Sequence, residues 1–222
     1  MCHPISQSIT TIHSPSMSTV ILANGRFPTH PIPIGVLHKA KQIICCDGAV
    51  NHLVEYGLEP TAIVGDLDSV SPKQKELYAD RLFFDPNQET NDLTKAVTWC
   101  KENGYNNVKI LAGTGKRDDH TLGNIGLLTK YLRMGVHVEL ISDSGTIVPL
   151  LQSSRLESFT GQQVSIFSFN NSTRITTHNL KYPINNMSLS EPWMGTLNMS
   201  MGGWFEVEFD IGPIVVFRGH KE

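Results

Sequence analysis

Acidic residues recur in the segments that follow apolar, β-branched runs. They are Asp47, the pair Asp66 and Asp68, and Asp92. Asp66 and Asp68 are two positions apart, so in an extended segment both carboxylates point to the same side. Carboxylate oxygens are ligands that Mg²⁺ prefers, and bound Mg²⁺ commonly joins one or two carboxylates to substrate phosphates. The alternative for residues 66–69 is an Asp-rich turn in which Asp68 caps the next helix.

A second segment, residues 113–120, is rich in glycine and basic residues. It reads GTGKRDDH and lies between an apolar run and a helical pattern. There its backbone N–H groups and the side chains of Lys116 and Arg117 could receive phosphate oxygens. The spacing of a Walker A loop is absent. The alternative is a solvated turn in which Asp118 or Asp119 caps the helix.

Asp92 and Lys95 are three positions apart in a helical pattern. This spacing predicts a local ion pair worth about 0.2–0.5 kcal/mol. In a functional interpretation, Asp92 joins the metal site or orients a hydroxyl nucleophile, and Lys95 meets a phosphate. For His120, a buried or capping histidine and a catalytic base fit the sequence equally well.

Alternating strands and helices must position these residues. Short β-branched runs alternate with longer helical patterns, which is typical of βαβ units and a parallel sheet. Strands are predicted at residues 20–23, 42–46, 62–65, 81–84, 108–112 and 136–142. Helices are predicted within residues 48–57, 91–104 and 121–135, the last with Leu122, Ile125, Leu128 and Leu132 on one face. Ligands bind beyond the carboxyl ends of such strands, so the polar segments that follow four successive strands are expected to meet at one edge.

The sequence texture changes after Gly145. Short alternating runs at residues 163–169, 172–178 and 204–210 replace the helical patterns and predict a small antiparallel sandwich. The predicted fold class is an α/β N-terminal domain with a mainly parallel sheet flanked by helices, plus a C-terminal antiparallel β-sandwich domain. The predicted divisions are a disordered leader at residues 1–16, an α/β domain at 17–145, and a β-sandwich domain at 146–222.

Composition narrows the class of protein. The 222 residues carry a formal net charge of −3 with 18 Lys and Arg, so the chain lacks the basic surplus that long nucleic-acid backbones require. Its four cysteines lack the paired CxxC spacing of a zinc site, which favours reduced thiols in a cytosolic protein. No run approaches the roughly 18–20 apolar residues that span a bilayer. We therefore expect a cytoplasmic protein without nucleic-acid or membrane partners.

Four segments, taken together and in order, resemble the thiamine pyrophosphokinase family. They are DGAVN (47–51) with GDLDS (65–69), QETNDLTKA (88–96), and GKRDDHTLGNI (115–125). The resemblance implies the reaction of ATP with thiamine to give thiamine diphosphate and AMP. In it the thiamine hydroxyl attacks the β-phosphorus and a pyrophosphoryl group moves as a unit. It also implies that residues 17–145 form an ATP- and Mg²⁺-binding catalytic domain and that residues 146–222 form a thiamine-binding and dimerisation domain. The implied assembly is a homodimer whose pocket takes residues from both chains.

The resemblance also implies roles for matching residues. Asp66, Asp68 and Asp92 would hold Mg²⁺, and Lys95 and Arg117 would neutralise charge on the transferred group. Asp92 is the first candidate to accept the hydroxyl proton. The other residues expected around ATP and Mg²⁺ are Asp47, Asn51, Gln88, Thr90, Gly113, Gly115, Lys116, Asp119, His120 and Asn124.

Thiamine is a cation with two aromatic rings, so an aromatic face is expected in its pocket. Trp193 and Trp204 are candidates for that face, with packing as the alternative for each, and Ser200 is a further candidate contact. The family has a Ser-rich segment ending in Ser-Asn here, whereas residues 196–204 of this chain, TLNMSMGGW, lack that Ser-Asn. In the first domain, Asn91 replaces a family Thr.

Two other functions fit the same residues. One is a metal-dependent hydrolase or glycosyltransferase that uses the DxD of residues 66–68 to bind a nucleotide-linked phosphate. The other is a non-catalytic module that senses a nucleotide or thiamine diphosphate. Product analysis separates the first from a pyrophosphokinase, and the second would have no turnover.

Overall fold

Two units divide the chain in a computed structural model that describes residues 10–11 and 18–221. The first unit is Ser16–Ile147, and the second combines Val148–Glu222 with the N-terminal residues. The predicted leader at residues 1–16 lies outside the described residues except for strand β1 (Thr10–Thr11). No helix among the described residues combines the length and apolarity that crossing a membrane requires.

A mainly parallel sheet forms the centre of the first unit. Its strands are β2 (Thr19–Leu22), β3 (Gln42–Cys46), β4 (Ala62–Gly65), β5 (Leu82–Phe84), β6 (Asn107–Leu111), β7 (His137–Ile141) and β8 (Gly145–Leu150), of which residues 145–147 belong to this unit. They are ordered β8-β7-β6-β2-β3-β4-β5, with β8 antiparallel to β7 and the others parallel. The chain begins the sheet at β2 and later returns to the other side of β2 with β6. The strand order therefore reverses between β2 and β6, where open α/β sheets bind ligands.

Helices cover both faces of this sheet. They are α1 (Pro31–His38), α2 (Ala49–Glu55), α3 (Pro72–Leu77), α4 (Asp92–Glu102) and α5 (Asp118–Arg133), with a 3₁₀ turn at Ala79–Arg81. Ile21 of β2 packs in a cluster with residues of α4 and α5, whereas Val20 and Leu22 pack in a second cluster with residues of α1 and α2. Because both faces of the sheet are covered, the central strands β2, β3 and β4 are buried and apolar nearly throughout rather than alternating.

The predicted apolar face of the third helix is wrong in its N-terminal half. Leu122 is 73% exposed, and the buried residues of α5 are Leu128, Thr129 and Tyr131. A helix of 16 residues is about 24 Å long, whereas a five-residue strand such as β6 spans about 17 Å. The first turns of α5 therefore extend beyond the strands, at the edge where ligands bind.

The second unit is built from antiparallel strands. They are β9 (Ser154–Glu157), β10 (Gln163–Ser168), β11 (Ile175–His178), β12 (Asn198–Met199), β13 (Trp204–Phe209) and β14 (Ile214–Gly219), with a 3₁₀ turn at Pro192–Gly195. β13 pairs with β9 and β11, β10 pairs with β12 and β14, and β1 adds parallel to β9. Val164, Ile166, Phe205, Val207 and Val216 are fully buried in the core of this unit.

Candidate functional site

Three carboxylates meet at the carboxyl edge of the sheet in the first unit. Asp47 follows β3, Asp66 follows β4, and Asp92 begins α4. One oxygen of each lies within 4.8 Å of those of the other two. Within the described part of the chain, no other group of His, Cys, Asp and Glu side chains is arranged to share a metal ion in this way. These three residues form the carboxylate cluster.

The backbone around Asp47 holds its carboxylate in place. Its φ is 43°, in the left-handed region that aspartate adopts more readily than most residues. Its N–H donates to the carbonyl of Val64 at 2.9 Å. Its carboxylate oxygens accept the N–H of Ser69 at 3.2 and 3.3 Å, and the residue is 4% exposed. Asp47 therefore also fixes the loop that carries Asp66.

Asn51 holds the same loop from α2. Its Nδ2 donates to the carbonyl of Ser69 at 2.9 Å, and its Oδ1 accepts the N–H of Ser71 at 3.3 Å. Ser71 is the N-cap of α3, and its hydroxyl accepts the N–H of Gln74. The cap of α3 is thus Ser71, and Asp68 does not have the capping position considered from the sequence.

Gly65 leaves the space in which the carboxylates approach one another. A Cβ at this position would lie 3.1 Å from Cβ of Asp47 and 3.2 Å from Oδ1 of Asp92. Its φ of 153° is also a conformation that side chains rarely adopt. A glycine at the end of β4 therefore permits both the backbone path and the close packing of the cluster.

Gly65→Ala is expected to lower kcat at least tenfold, because the added methyl group displaces Asp47 or Asp92 by several tenths of an ångström. Gly57→Ala is the matched control, since Gly57 has φ of 86° but open space where an added Cβ would lie. The control is expected to lose about 1 kcal/mol of stability and retain its kcat. Steady-state kinetics with a thermal melt checks both variants, and an unchanged kcat in Gly65→Ala would contradict this role.

Lys95 places a buried ammonium beside the carboxylate cluster. The residue is 5% exposed, and its Nζ lies 3.3 Å from Oδ1 of Asp92, which is the ion pair predicted from the sequence. Burial raises the pKa of Asp92 and outweighs the hydrogen bond and charge of Lys95, which lower it; Asp47 and Asp66 raise it further. When all are ionised, the three carboxylates and the ammonium carry two net negative charges, which match one divalent cation.

The glycine-rich segment forms a turn after β6 that pairs with the segment after β2. Residues 112–117 are called the phosphate turn, after the phosphate contacts that the sequence predicts for this segment, and residues 24–30 are called the β2 segment. The N–H of Gly25 donates to the carbonyl of Ala112, and the N–H of Arg26 donates to that of Thr114, both at 2.8 Å. The two segments therefore continue the pairing of β2 with β6 beyond the ends of these strands.

Side chains of the β2 segment also face the phosphate turn. Nζ of Lys116 donates to Oδ1 of Asn24 at 3.2 Å. A Cβ at Gly115 would lie 2.8 Å from Cβ of Arg26, so a glycine is required for this approach. Asn24 and Arg26 were not predicted as site residues from the sequence. They follow the first predicted strand, residues 20–23, and the rule that ligands bind beyond the carboxyl ends of strands indicates them.

Asn124 connects the phosphate turn with the start of α4. Its Nδ2 donates to the carbonyl of Gly113 at 2.8 Å, and its Oδ1 accepts Nδ2 of Asn91 at 3.2 Å. Asn91 is the N-cap of α4, and its Oδ1 accepts the N–H and the hydroxyl of Thr94 at 3.0 and 2.7 Å. The residue that replaces the family Thr therefore caps the helix that carries Asp92.

Arg117 and Asp119 form an exposed ion pair at the start of α5. Nη2 of Arg117 lies 2.5 Å from Oδ2 of Asp119, and Nε donates to Oδ1 at 3.1 Å. The hydrogen bond from Arg117 is the main cause that lowers the pKa of Asp119 to about 2. Arg117 is the N-cap of α5, so neither Asp118 nor Asp119 has that position. His120 is exposed, and its N–H donates to Asp119.

Both parts of the sequence match the patterns of one enzyme family. Residues 35–140 match the thiamin pyrophosphokinase catalytic domain, and residues 145–217 match the thiamin pyrophosphokinase substrate-binding domain. The chain belongs to the thiamine pyrophosphokinase family. The family predicted from the sequence motifs is thereby confirmed.

Relatives from animals, plants and bacteria carry the family name. The chain is 28% identical over 166 residues to thiamin pyrophosphokinase 1 of Caenorhabditis elegans, covering 68% of each protein. It is 26% identical over 202 residues to thiamine pyrophosphokinase 1 of Oryza sativa subsp. japonica, covering 77% of this chain and 75% of that protein. The crystal structure of thiamine pyrophosphokinase from Bacillus subtilis superposes with a TM-score of 0.78 at 23% identity, covering 92% of this chain and all of that one. This likeness confirms the predicted fold class.

Other residues expected at the site of a thiamine pyrophosphokinase lie apart from the carboxylate cluster. Asp68 is exposed, and its N–H donates to Oδ1 of Asp66 at 3.3 Å, but its carboxylate does not join the cluster. Gln88 is exposed, and Nε2 donates to the carbonyl of Pro86 at 3.4 Å. Thr90 is half-buried in the segment before α4.

The three candidate thiamine contacts lie in the second unit. Ser200 is fully buried, where its hydroxyl lies 2.6 Å from that of Ser158 and donates to the carbonyl of Gly202 at 3.1 Å. Trp193 is 72% exposed. Trp204 is partly exposed, and the guanidinium carbon of Arg155 lies 4.1 Å from the centroid of one of its rings. The two tryptophans thus offer aromatic surface to solvent, whereas the Ser200 hydroxyl faces the interior.

Proposed function

We propose that this chain transfers a pyrophosphoryl group from ATP to the hydroxyl of thiamine, giving thiamine diphosphate and AMP. The carboxylate cluster at the sheet edge is the observation that carries the proposal, because transfer of a pyrophosphoryl group needs neutralisation of the charge on the phosphates. Membership of the thiamine pyrophosphokinase family supports the choice of substrates.

The carboxylate cluster suits Mg²⁺ as its ion. Its three oxygens lie within 4.8 Å of one another, the missing side chain of Gly65 leaves room beside them, and Mg²⁺ favours oxygen ligands. Mg²⁺ held by Asp47, Asp66 and Asp92 would supply charge neutralisation to the phosphates of ATP. Asp68, which the sequence pattern also favours as a ligand, remains a candidate that substitution can test.

Asp92 is our candidate for the proton acceptor. The thiamine hydroxyl oxygen forms a bond to the β-phosphorus, the bond from that phosphorus to the oxygen shared with the α-phosphate breaks, and AMP leaves with that oxygen. The hydroxyl proton passes to the carboxylate of Asp92. Lys95 keeps the carboxylate oriented through its ammonium.

The phosphate turn and the β2 segment are our proposed binding site for the triphosphate. They lie at the reversal of strand order between β2 and β6. Exposed cations of Arg26, Lys116 and Arg117 are available there for phosphate oxygens. Gly113 and Gly115 bring the backbone N–H groups of the turn close to the ligand. The exposed side chains of Gln88, Asp119 and His120 are further proposed contacts.

Thiamine binding, dimerisation and location form the less direct part of the proposal. The aromatic rings of Trp193 and Trp204 suit the cationic thiazolium. We further propose a cytoplasmic homodimer that acts on small molecules rather than on nucleic acid or membranes. Light scattering of the purified chain would measure the dimer mass, and a monomer at micromolar concentration would contradict this part.

Product analysis tests the proposed function. Purified protein with Mg²⁺, ATP and thiamine is expected to release AMP and thiamine diphosphate in equal amounts, as measured by chromatography. Removal of Mg²⁺ with EDTA should lower the rate at least a hundredfold, and added Mg²⁺ should restore it. Release of ADP or orthophosphate without AMP would favour a hydrolase or another transferase. Binding of ATP or thiamine diphosphate without any product would favour a sensing module.

A further inference from the structure

Asp143 lies two residues after β7 and holds the end of the β2 segment. Its Oδ1 accepts the N–H of Thr29 and the N–H of His30, each at 3.0 Å. Its Oδ2 accepts the hydroxyl of Thr29 at 2.6 Å and the N–H of Thr29 at 3.1 Å. One carboxylate thus fixes two consecutive residues that precede it by 114 and 113 positions.

These hydrogen bonds connect strands that are not neighbours. In the sheet β6 lies between β7 and β2. Asp143 follows β7, and Thr29 belongs to the β2 segment, so their contact bridges the two strands on either side of β6. The phosphate turn is the continuation of β6 and pairs with the same β2 segment.

The β2 segment is therefore fixed at two places. Near its start, the backbone of Gly25 and Arg26 pairs with the phosphate turn, and Asn24 accepts a hydrogen bond from Lys116. At its end, Thr29 and His30 are held by Asp143. Asn24 and Thr29 are only five positions apart, so loss of the second attachment would leave the segment free to shift relative to the phosphate turn.

The charge of Asp143 strengthens this attachment. Burial raises the pKa of its carboxyl, but the hydrogen bonds from Thr29 and His30 together outweigh burial, so the pKa is lowered below its usual value. The group is therefore an ionised acceptor at neutral pH. Hydrogen bonds to an ionised acceptor are roughly twice as strong as neutral ones.

We propose that Asp143 is a positioning residue that aligns Asn24 and Arg26 with the triphosphate of ATP by holding the β2 segment. The inference rests on the proposed function, because it takes ATP to bind between the phosphate turn and this segment. Asp143 itself touches no reacting atom and acts through Thr29 and His30.

Asp143→Asn and Thr29→Val test this role with little change in shape. The asparagine presents an N–H₂ group in place of one acceptor oxygen, and the valine removes only the hydroxyl donor. Asp143→Asn is expected to raise the KM for ATP about tenfold, the factor typical of a lost charge-assisted hydrogen bond. The KM for thiamine and kcat should stay within about twofold of wild type, since the carboxylate cluster is intact. Thr29→Val should raise the KM for ATP about threefold. Asp80→Asn, at an exposed position, is the control and should leave the KM for ATP unchanged.

The pair of variants also distinguishes positioning from general loss of structure. If Asp143 acts through the Thr29 hydroxyl and the adjacent N–H groups, the double variant should bind ATP little worse than Asp143→Asn alone. Equal rises in KM for ATP and thiamine, or an unchanged KM for ATP in both single variants, would overturn the proposal. If Asp143→Asn fails to fold, Thr29→Val alone decides by the same comparison.

Calorimetric titration of the full chain with ATP and Mg²⁺, without thiamine, separates this inference from the proposed function. If the wild type binds ATP but forms no AMP when thiamine is added, the proposed function fails. An ATP dissociation constant that is tenfold higher in Asp143→Asn than in the wild type would still support the positioning role. An unchanged dissociation constant would overturn that role. A wild-type chain that binds no ATP would overturn both.

Discussion

Asp92→Asn is expected to lower kcat at least a hundredfold while leaving the fold intact. The substitution keeps the shape of the side chain but removes one charge from the carboxylate cluster, the partner of the Lys95 ammonium and the proposed proton acceptor. Removal of charge neutralisation or of a proton acceptor each costs at least two orders of magnitude in comparable sites. Steady-state AMP formation at saturating ATP and thiamine measures the effect, and the Mg²⁺ concentration for half-maximal rate should rise.

Asp66→Asn and Asp68→Asn form the matched comparison. Both residues belong to the DxD pattern, but only Asp66 lies in the carboxylate cluster, and Asp68 is exposed. The geometry therefore predicts a loss of at least a hundredfold for Asp66→Asn and less than tenfold for Asp68→Asn. Equal large losses would instead favour the pairing suggested by the sequence, with the loop moving when the ion binds. Near-normal kcat in both Asp66→Asn and Asp92→Asn would contradict a catalytic cluster.

Lys95→Met is expected to lower kcat at least a hundredfold, as Asp92→Asn does. It should strengthen Mg²⁺ binding, however, whereas Asp92→Asn weakens it. Methionine keeps most of the length and apolar volume of the side chain but removes the buried ammonium 3.3 Å from Asp92. Asp92 then loses its orienting partner, and the cluster gains net negative charge. Without the positive charge of Lys95 nearby, the carboxylates attract Mg²⁺ more strongly, so the half-saturating Mg²⁺ concentration should fall.

The exposed Lys101→Met in the same helix is the control for this variant, and it should leave both kcat and Mg²⁺ dependence unchanged. Kinetics at a series of Mg²⁺ concentrations distinguishes the two effects. A higher half-saturating Mg²⁺ concentration combined with a normal kcat in Lys95→Met would show that Lys95 only stabilises the helix. A fall in kcat with unchanged Mg²⁺ dependence would place the cation away from Asp92.

Most strands of the first unit could be predicted because the sheet is covered on both faces and its strands carry apolar runs, whereas the helices show one apolar face. Apolar runs such as those of β3 and β6 stand out in the sequence, and glycines end the helices after them. The helices α1 and α3 were not predicted, and in α1 Pro31, Pro33 and Gly35 disfavour helix in general. The first proline is tolerated because it lies in the first turn, where no N–H is required.

The location of the candidate site could be predicted, because ligands bind beyond the carboxyl ends of the strands in an open parallel sheet. The members of the carboxylate cluster could be predicted only in part, because they depend on the direction of each side chain. The sequence pattern favours Asp68 through its spacing from Asp66, but the chain does not stay extended there: Leu67 has φ of 62°. That turn separates the two carboxylates. Asp47 joins instead, because its own left-handed backbone directs it to Asp66 and Asp92.

The second unit could be predicted at the level of its sheets but not of its ligand contacts. Alternating runs indicate strands such as β10 and β13, but alternation does not reveal which polar residue faces inward. Ser200 is buried, and its hydroxyl lies 2.6 Å from that of Ser158, which is 42 positions away in the sequence. Contacts of this kind depend on tertiary packing, which propensity and spacing do not encode.

The fate of the two terminal phosphates of ATP tests the central claim most directly. ATP with distinguishable isotopic labels on its β- and γ-phosphoryl groups is incubated with the protein, Mg²⁺ and thiamine, and the products are separated and analysed. Pyrophosphoryl transfer predicts that thiamine diphosphate carries both labels in equal amounts, with one unlabelled AMP for each molecule formed. A thiamine product that carries only the γ label, with β-labelled ADP, or labelled phosphates released without any thiamine product, would contradict it.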